Sequence, residues 1–192
     1  MSTADREKWE RKYREKPKLL QPRPPSVLLE RYYRHAQGRK ALDLACGNGR
    51  NALFLAQNGF EVDALDISTT ALEHLEKQSK GLMINCIQAD LDHYTPPQGL
   101  YDLLIMTNYL DRELIKRSTE KMKPGAFFFI ETYMIHPENE KKDSNPDFLL
   151  APGELNSFFE EVFEKLAYEE FWNEPHELYR MRKQGIVVQK LS

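Results

Sequence analysis

Short, almost wholly apolar runs alternate with amphipathic segments after Gly38, and this alternation constrains the fold more than any other feature of the chain. Five runs are strand-like: 40–45, 60–65, 83–89, 101–106 and 126–131. Three helices are predicted between them: 50–58, a second that ends at Gly81, and 112–122. Apolar strands that are separated by helices form a mostly parallel sheet covered on both faces. The sequence therefore predicts a doubly wound α/β fold.

The last third of the chain predicts two further strands. A helix is expected over 153–162, followed by strands over 166–172 and 185–190. The polar connection between these two strands is too short for a crossover helix, so we expect them to pair antiparallel. The sheet then has seven strands.

Capping residues indicate where two of the helices begin. Ser26 follows three prolines and is expected to cap a helix that runs to Gly38. Farther along, either Ser68 or Thr70 is suited to begin the next helix, and Thr70 would form a capping box with Glu73.

The first 38 residues are expected to form a helical arm or lid on a core of residues 39–192, all within one domain. Residues 1–40 carry a net charge of +7 and the remainder −10, so a basic arm lies on an acidic body. Trp9 and Tyr13 lie four residues apart and give the arm an aromatic face for docking. The basic residues are either the solvated face of a docked helix or a positive lid for an anionic substrate or nucleic acid. They are Arg11, Lys12, Arg14, Lys16 and Lys18.

Several classes of protein are excluded by what the sequence lacks. The longest apolar run, 126–130, is far shorter than the ~20 residues of a membrane-spanning helix, and the N-terminal residues resemble no signal peptide. We therefore expect a cytoplasmic protein. Cys46 and Cys86 are expected to be reduced thiols, and neither they nor the five histidines have the spacing of a local metal site. No metal is predicted.

A glycine loop follows the first predicted strand, where doubly wound sheets bind their ligands. Gly47 and Gly49 allow close approach of the backbone to a ligand, but the pattern alone also fits a dinucleotide site. Asp43 separates the two interpretations, because a carboxylate here would repel a pyrophosphate and attract the positive sulfonium and amino groups of S-adenosylmethionine. The glycine amides and the N-terminus of the following helix are then expected to take the ligand's carboxylate.

Two more acidic residues follow the second and third strands. Asp66 is placed to accept both ribose hydroxyls of an adenosine, although it would also serve as a helix cap. Asp90 is placed to accept from the adenine amino group while Leu91 packs on the ring, although a plain turn aspartate is an equal reading. The three acids at the ends of successive strands together indicate a nucleoside site.

With these residues identified, the chain resembles the class I S-adenosylmethionine-dependent methyltransferases over roughly Trp9 to Lys190. DLACGNGRNALFLA looks like their glycine motif, ALDIS like their ribose acid and IQADL like their adenine-side motif. YDLLIMTNYLDR and MKPGAFFFIETY look like their fourth and fifth strands, with KPGA in place of the commoner Lys-Pro-Gly-Gly. WERKYREK and DFLLAPGEL are most similar to the tellurite-resistance methyltransferases of bacteria, with some likeness to thiopurine methyltransferases.

This resemblance implies the strand order 3-2-1-4-5-7-6, an N-terminal helix that closes over the cofactor, and S-adenosyl-L-methionine as that cofactor. The residues expected to bind it are Trp9, Tyr13, Asp43, Ala45, Gly47, Asn48, Gly49, Asp66, Ile67, Asp90, Leu91 and Asn108.

The expected reaction is direct transfer of the activated methyl group to a small molecule, with an anion or a soft nucleophile as the favoured acceptor. Holding the acceptor close and excluding water supplies much of the rate. A general base is required only for a hydroxyl or amine acceptor, and no catalytic residue is assigned. The candidates near the ends of strands 4 and 5 are Tyr109, Asp111, Glu131, Tyr133 and His136.

Three other functions stay open from the sequence. The glycine loop is compatible with an NAD-dependent oxidoreductase, which Asp43 disfavours. The basic arm is compatible with an RNA-directed methyltransferase that acts on tRNA, which the acidic body disfavours. A cofactor-binding protein without turnover is the third. The sequence does not identify the acceptor or choose between a monomer and a homodimer.

Overall fold

The predicted alternation folds into one seven-stranded sheet in the computed structural model, which describes residues 3–192. The strands are β1 (Lys40–Leu44), β2 (Glu61–Asp66), β3 (Ile84–Gln88), β4 (Leu103–Thr107), β5 (Phe127–Tyr133), β6 (Phe163–Trp172) and β7 (Arg182–Lys190). Their order across the sheet is β3-β2-β1-β4-β5-β7-β6, as the resemblance implied.

The strand directions match the prediction. β1 to β5 pair parallel with their neighbours, whereas β7 pairs antiparallel with both β5 and β6. The strand order reverses beside β1, which lies between β2 and β4. In an open parallel sheet this reversal leaves a crevice at the carboxyl ends of the two central strands, and ligands bind there.

Helices cover both faces of the sheet. They are α1 (Thr3–Glu15), α2 (Val27–Tyr32), α3 (Arg50–Gln57), α4 (Thr69–Gln78), α5 (Arg112–Lys121) and α6 (Glu154–Ser157), with single 3-10 turns at Pro17–Leu20, Tyr33–His35 and Pro146–Phe148. Leucines of α2, α3 and α4 pack in one hydrophobic cluster, while α5 and α6 pack in another on the opposite face. The two clusters confirm the doubly wound arrangement.

The helix expected over 153–162 is wrong in length, because α6 has only four residues. Gly153 begins it in the left-handed conformation, and the chain then turns so that Phe159 enters the core. β6 begins earlier than expected, at Phe163, which pairs with Lys190. Phe158, Phe159 and Phe163 thus pack in or against the core rather than in a longer helix.

Two capping assignments also need correction. The Ser26 side chain does not cap α2, since its hydroxyl donates to Glu131 at 2.6 Å, and α2 passes into a 3-10 turn well before Gly38. Ser68 rather than Thr70 caps α4, accepting a hydrogen bond from the amide of Ala71.

The first 38 residues divide into two structural parts. α1 contacts α4, whereas α2 contributes Leu28 and Leu29 to the core beneath the sheet. On α1, Lys12 lies 3.9 Å from the centre of the Trp9 ring and Arg14 pairs with Glu10 at 3.6 Å. The arm of the sequence prediction is therefore α1 together with the turn that follows it, and its action as a lid stays a prediction.

Within residues 3–192, none of the helices is long and apolar enough to cross a membrane. The same part of the chain contains no group of three His, Cys, Asp or Glu side chains arranged to hold a metal ion. Cys46 and Cys86 are both free thiols.

Candidate functional site

Asp43 is a buried carboxylate at the carboxyl half of β1, next to the point where the strand order reverses. It is 1% exposed, and neither carboxylate oxygen has a hydrogen-bond partner. Burial raises the pKa of Asp43 to about 7; the charge of Arg50 and the nearby amide of Ala52, which lies outside hydrogen-bond geometry, oppose this shift only in part. An unsatisfied buried carboxylate is costly to the fold, so this arrangement fits a group awaiting a cationic ligand. Asp43 makes no hydrogen bond that would cap the glycine turn, which was the alternative role considered for it.

The glycine loop has the tight backbone that the sequence predicted, but both glycine amides already have hydrogen-bond partners. Gly47 and Gly49 have φ values of +55° and +77°, and a Cβ on Gly49 would lie 2.3 Å from a methyl carbon of Leu75. The Gly47 amide donates to Asp66 at 2.8 Å, and the Gly49 amide donates to the carbonyl of Cys46 at 2.9 Å. Both amides thus already have partners within the chain, and their contact with a ligand's carboxylate stays a prediction.

The Asp66 carboxylate, at the end of β2, accepts two hydrogen bonds from backbone amides. One carboxylate oxygen accepts from Gly47 and the other from the amide of Ser68 at 2.9 Å. Burial raises the pKa of Asp66, and these backbone hydrogen bonds oppose the shift. The neighbouring Ile67 is buried, and its carbonyl accepts from Gln88. The carboxylate is held in one orientation beside the glycine loop, and its contact with a ribose stays a prediction.

Helix α1 lies over this part of the site. The Glu10 carboxylate accepts from the amides and hydroxyls of Thr69 and Thr70 at the N-terminus of α4, including 2.6 Å from the Thr69 amide. Burial would raise the pKa of Glu10, but these bonds lower it to about 2. Trp9 and Tyr13 stack at 5.8 Å, and the Tyr13 hydroxyl lies 3.0 Å from where a Cβ on Gly47 would be.

Asp90 and Leu91 follow β3, where the sequence places an adenine contact. The Asp90 carboxylate accepts from the amide of Asp92 at 3.0 Å, which is the turn role considered above. Leu91 is fully buried in the core. Their contact with an adenine ring stays a prediction.

Two residues beside the crevice have left-handed backbone without being glycine. Ala45 and Asn108 both have φ of +57°, after β1 and β4 respectively. The side-chain oxygen of Asn108 is buried without a partner, while its backbone amide donates to the carbonyl of Glu131 at 2.8 Å. Strained conformations of this kind concentrate at functional sites. In contrast, the Asn48 side chain is occupied, since it donates to the carbonyl of Gln21.

Four of the five candidate bases are engaged in structural contacts. Asp111 caps α5, Glu131 accepts from Ser26 and pairs with a buried lysine, and the His136 ring packs edge-on against Trp172 at 5.1 Å. Burial raises the pKa of Tyr109, with nearby acids adding to the effect. The Tyr133 hydroxyl donates to Glu177. No base is assigned.

A buried charge network at the carboxyl end of β5 was missed from the sequence. Lys183, with no exposed surface, contacts Glu131 at 3.0 Å, Glu174 at 3.4 Å and Glu177 at 2.5 Å. Arg50 approaches Glu131 at 3.8 Å and Glu174 at 3.5 Å. These residues come from separate elements, so no local pattern in the sequence could have revealed the cluster.

A second missed feature is a segment that lies against the glycine loop, residues 21–26, here called the strap. Three hydrogen bonds hold it: Asn48 to the carbonyl of Gln21, Arg50 to the carbonyl of Pro24, and the Ser26 amide to Asn51. Within the strap, the Nε of Arg23 is buried and has no partner.

A cavity of about 650 Å³ does not coincide with this site. It is an open groove along α1, lined by Arg6, Glu7, Glu10, Arg11, Arg14 and Glu15. A smaller hollow of about 210 Å³ lies beside the strap. We place the site by its unsatisfied polar groups, because a groove lined by charged side chains of one helix lacks the convergent apolar walls of a ligand pocket.

Comparison with known proteins agrees with this geometry. A family model described as a methyltransferase domain matches residues 41–125. The probable S-adenosyl-L-methionine-dependent methyltransferase TehB of Haemophilus influenzae is 28% identical over 151 residues, which cover 71% of this chain and 50% of TehB. The crystal structure of TehB from Haemophilus influenzae superimposes with a TM-score of 0.73 and 24% identity, covering 85% of this chain and 61% of that one. Residues 41–125 thus match a methyltransferase domain, and the chain is similar to S-adenosylmethionine-dependent methyltransferases.

The part matched by the family model contains most of the candidate site described above. It begins at β1 and ends just before β5, and so includes Asp43, the glycine loop, Asp66 and Asn108. A second relative, the ubiquinone biosynthesis O-methyltransferase of Pectobacterium carotovorum, is 28% identical over 103 residues, covering 50% of this chain and 43% of the relative. The chain thus spans about half the length of these curated methyltransferases.

Proposed function

We propose that the chain is an S-adenosylmethionine-dependent methyltransferase that acts on a small molecule, with an anion or a soft nucleophile as the acceptor. The observation that carries this proposal is the Asp43 carboxylate, buried at the crevice with both oxygens unpartnered. A cationic ligand group would satisfy it, whereas a pyrophosphate would be repelled.

The residues at the crevice suit the parts of this cofactor. Asp43 and the unpartnered oxygen of Asn108 accept from its amino group and attract its positive charge, and Asp66 accepts from the ribose hydroxyls. Tyr13 and Trp9 cover the site from α1. When bound, the cofactor supplies a methyl group on a sulfonium, which is already an activated leaving group.

The protein's own contribution to the reaction is to bind, orient and exclude water. α1 closes one side of the crevice, and we propose that it acts as a lid whose attachment is the contact of Glu10 with α4. At the acceptor side, Tyr133 is fixed by its donation to Glu177. A soft or anionic acceptor needs no base, which agrees with a site whose carboxylates next to β5 are neutralised by Lys183.

Ligand titration tests the proposal. Calorimetry is expected to show binding of S-adenosylmethionine and of S-adenosylhomocysteine, and fluorescence titration is expected to show no binding of NADH. Asp43→Asn removes the charge and keeps the shape, so it should weaken S-adenosylmethionine binding about 10- to 100-fold.

The matched control is Asp143→Asn, which removes an exposed aspartate far along the chain and should bind as the unmodified protein does. Binding of NADH in preference to S-adenosylmethionine would overturn the proposal. Once binding is established, transfer of label from the cofactor to a panel of small molecules would distinguish an enzyme from a binding protein without turnover.

A further inference from the structure

We propose that the acceptor carries a carboxylate or similar anionic group that binds Lys12 of α1 and Lys141 of the loop after β5, and that this group is not the one that is methylated. The assignment rests on the proposed function. It narrows the acceptor to a small molecule with two separate functional groups, an anionic one that is recognised and a nucleophilic one that reacts.

Helix α1 places its lysines on the side that faces away from α4. Successive residues of an α-helix are rotated by about 100°, so Lys12 points roughly opposite to Glu10, whose carboxylate is bound to the N-terminus of α4. Lys8 lies one turn before Lys12, and Lys16 lies one turn after it, where its amide still donates to the Lys12 carbonyl at 3.0 Å. Tyr13 points between these two directions, toward the glycine loop. The lysines therefore border the crevice on the side opposite to α4.

Lys12 is the partly buried member of this lysine face. Its ammonium lies 3.9 Å from the centre of the Trp9 ring, which belongs to the aromatic cover of the crevice. Burial lowers the pKa of Lys12 to about 8, and three positive charges add to the shift, those of Lys141, Lys16 and Lys8. The amine is still mostly protonated at pH 7, and a bound anion would stabilise its charged form.

Lys141 approaches Lys12 from the loop between β5 and α6, closely enough for its charge to act on the Lys12 ammonium. That loop is anchored at Asn139, which is buried, donates to the carbonyl of Met134 at 2.8 Å and accepts from the amide of Arg182 at 2.8 Å. Because Met134 directly follows β5, the loop begins at the carboxyl end of the strand that borders the acceptor side. The two lysines thus come from two elements on either side of the entrance.

The four lysines, Lys8, Lys12, Lys16 and Lys141, lack an acidic partner. Among residues 3–192, no carboxylate lies within ion-pair distance of their ammonium groups, and no acid is among the charges that act on Lys12. Two acids of the Lys141 loop are used elsewhere, since both contact the same arginine: they are Glu138, which pairs with Arg180 at 3.8 Å, and Glu140, which accepts from the Arg180 amide at 2.7 Å. Positive charges gathered without a counter-ion repel one another and attract an anion.

The lysines suit a group that is bound rather than the atom that reacts. An opposite charge stabilises an anion and lowers its pKa, and a less basic atom is a weaker nucleophile. An anion that is paired with Lys12 would therefore be a poor methyl acceptor. A molecule with a carboxylate at one end and a soft nucleophile at the other uses both the lysines and a site that has no assigned base.

The test compares two thiols that differ in one group. β-Mercaptopropionate carries a carboxylate, whereas β-mercaptopropionamide carries a neutral amide of similar size. Each is titrated by calorimetry into the chain saturated with S-adenosylhomocysteine. We expect the carboxylate to bind about 10-fold more tightly than the amide, as for one charge-assisted contact. Lys12→Gln should remove this difference.

Lys141→Gln should weaken β-mercaptopropionate by only about 3-fold, because this lysine is exposed to solvent and its charge is more strongly screened. The affinity for β-mercaptopropionamide should not change in either variant. Lys12→Arg keeps the positive charge and should bind the carboxylate nearly as the unmodified chain does.

Each lysine has a matched control variant. Arg11→Gln removes an exposed cation next to Lys12 on another face of α1. Lys142→Gln removes the lysine next to Lys141, whose ammonium is already used as a donor to the carbonyl of Pro137. Both controls should bind the two thiols as the unmodified chain does. S-adenosylhomocysteine binding should be the same in all of these variants, since the lysines contact the acceptor and not the cofactor.

The remaining outcomes contradict the assignment. Equal affinity of the unmodified chain for the two thiols would overturn it, and so would the absence of β-mercaptopropionate binding. An equal loss in Lys12→Gln and Arg11→Gln would mean that the total charge of α1, rather than a site at Lys12, attracts the carboxylate. Weaker S-adenosylhomocysteine binding in Lys12→Gln would place this lysine at the cofactor instead. In all these cases the unmodified chain still binds S-adenosylhomocysteine and the proposed function stands, whereas a chain that does not bind it contradicts both.

Discussion

The buried Asp43 carboxylate lowers the stability of the unliganded protein and places a titratable acid at the crevice. Its pKa in the folded protein is about 7, against an ordinary value of 3.8. Between these two values the folded protein binds more protons at this residue than the unfolded chain does, so the contribution of Asp43 to stability falls as the pH rises from about 4 to 7. Above pH 7 the penalty is complete.

The residue-scale prediction is that Asp43→Asn stabilises the unliganded protein. The gain in free energy of unfolding should be small near pH 4, increase up to pH 7 and then level off at about 2–4 kcal/mol. Urea unfolding at a series of pH values measures it, with Asp143→Asn as the control. Constant or falling stability of Asp43→Asn relative to the unmodified chain over that range would contradict the burial of an unpartnered carboxylate.

Residues at the ends of strands could be identified from the sequence, whereas residues that only the tertiary fold brings together could not. Asp43, Asp66 and Asp90 could be proposed as site residues because each lies at or near the carboxyl end of a recognisable strand. The strap has no such marker, since it is rich in proline and precedes a short helix. Its position depends on contacts with residues about 25 positions further along the chain.

At the scale of elements, sequence patterns predicted strands better than helix ends. The five parallel strands could be located because runs such as 126–131 are apolar throughout and lie between clear turns. The helix over 153–162 failed because Phe158 and Phe159 are spaced equally well for a helix and for a core turn. Ser26 failed as a cap because a carboxylate 105 residues away competes for its hydroxyl.

The attachment of α1 gives the element-scale prediction. Glu10 accepts every hydrogen bond described here between α1 and the N-terminus of α4, so Glu10→Ala should speed amide hydrogen exchange across 3–15 and weaken S-adenosylhomocysteine binding about 3- to 30-fold. The melting temperature should change little, because the core lies elsewhere. Hydrogen exchange with mass spectrometry and calorimetry measure the two effects.

Glu7→Ala is the matched control, since it removes an exposed acid from the same helix. It should leave both exchange and affinity unchanged. If Glu10→Ala keeps full protection of 3–15, then aromatic packing by Trp9 and Tyr13, rather than the carboxylate, holds the helix.

At the scale of the whole molecule, the Lys183 network joins parts of the chain that are far apart in sequence. Through Glu131 it connects β7 to β5 and, by way of Ser26, to α2. Through Glu174 and Glu177 it fixes the connection between β6 and β7. Nearby carboxylates raise the pKa of Lys183 against the opposing effect of burial, so its stabilisation is present below its ordinary pKa of 10.5 and is lost as the pH rises through the higher folded value.

The whole-molecule prediction is that Lys183→Met lowers the free energy of unfolding by about 3–5 kcal/mol at pH 7, because it leaves buried carboxylates without a cation. Denaturant unfolding measures the change. Lys165→Met, which removes an exposed lysine of β6, should cost less than about 1 kcal/mol. If Lys183→Met also lowered the free energy of unfolding by less than about 1 kcal/mol, water or protonation would already neutralise the buried carboxylates.

The unequal attachment of the two sides of the crevice bears on how a small molecule enters it. The strap is tied to the glycine loop by three hydrogen bonds, and Ser26 at its end is also bound to the core. The side formed by the first helix is secured to α4 through the hydrogen bonds of a single carboxylate. We expect α1 to move away from the crevice first. A small molecule would then enter from solvent beneath Tyr13, while the strap stays in place.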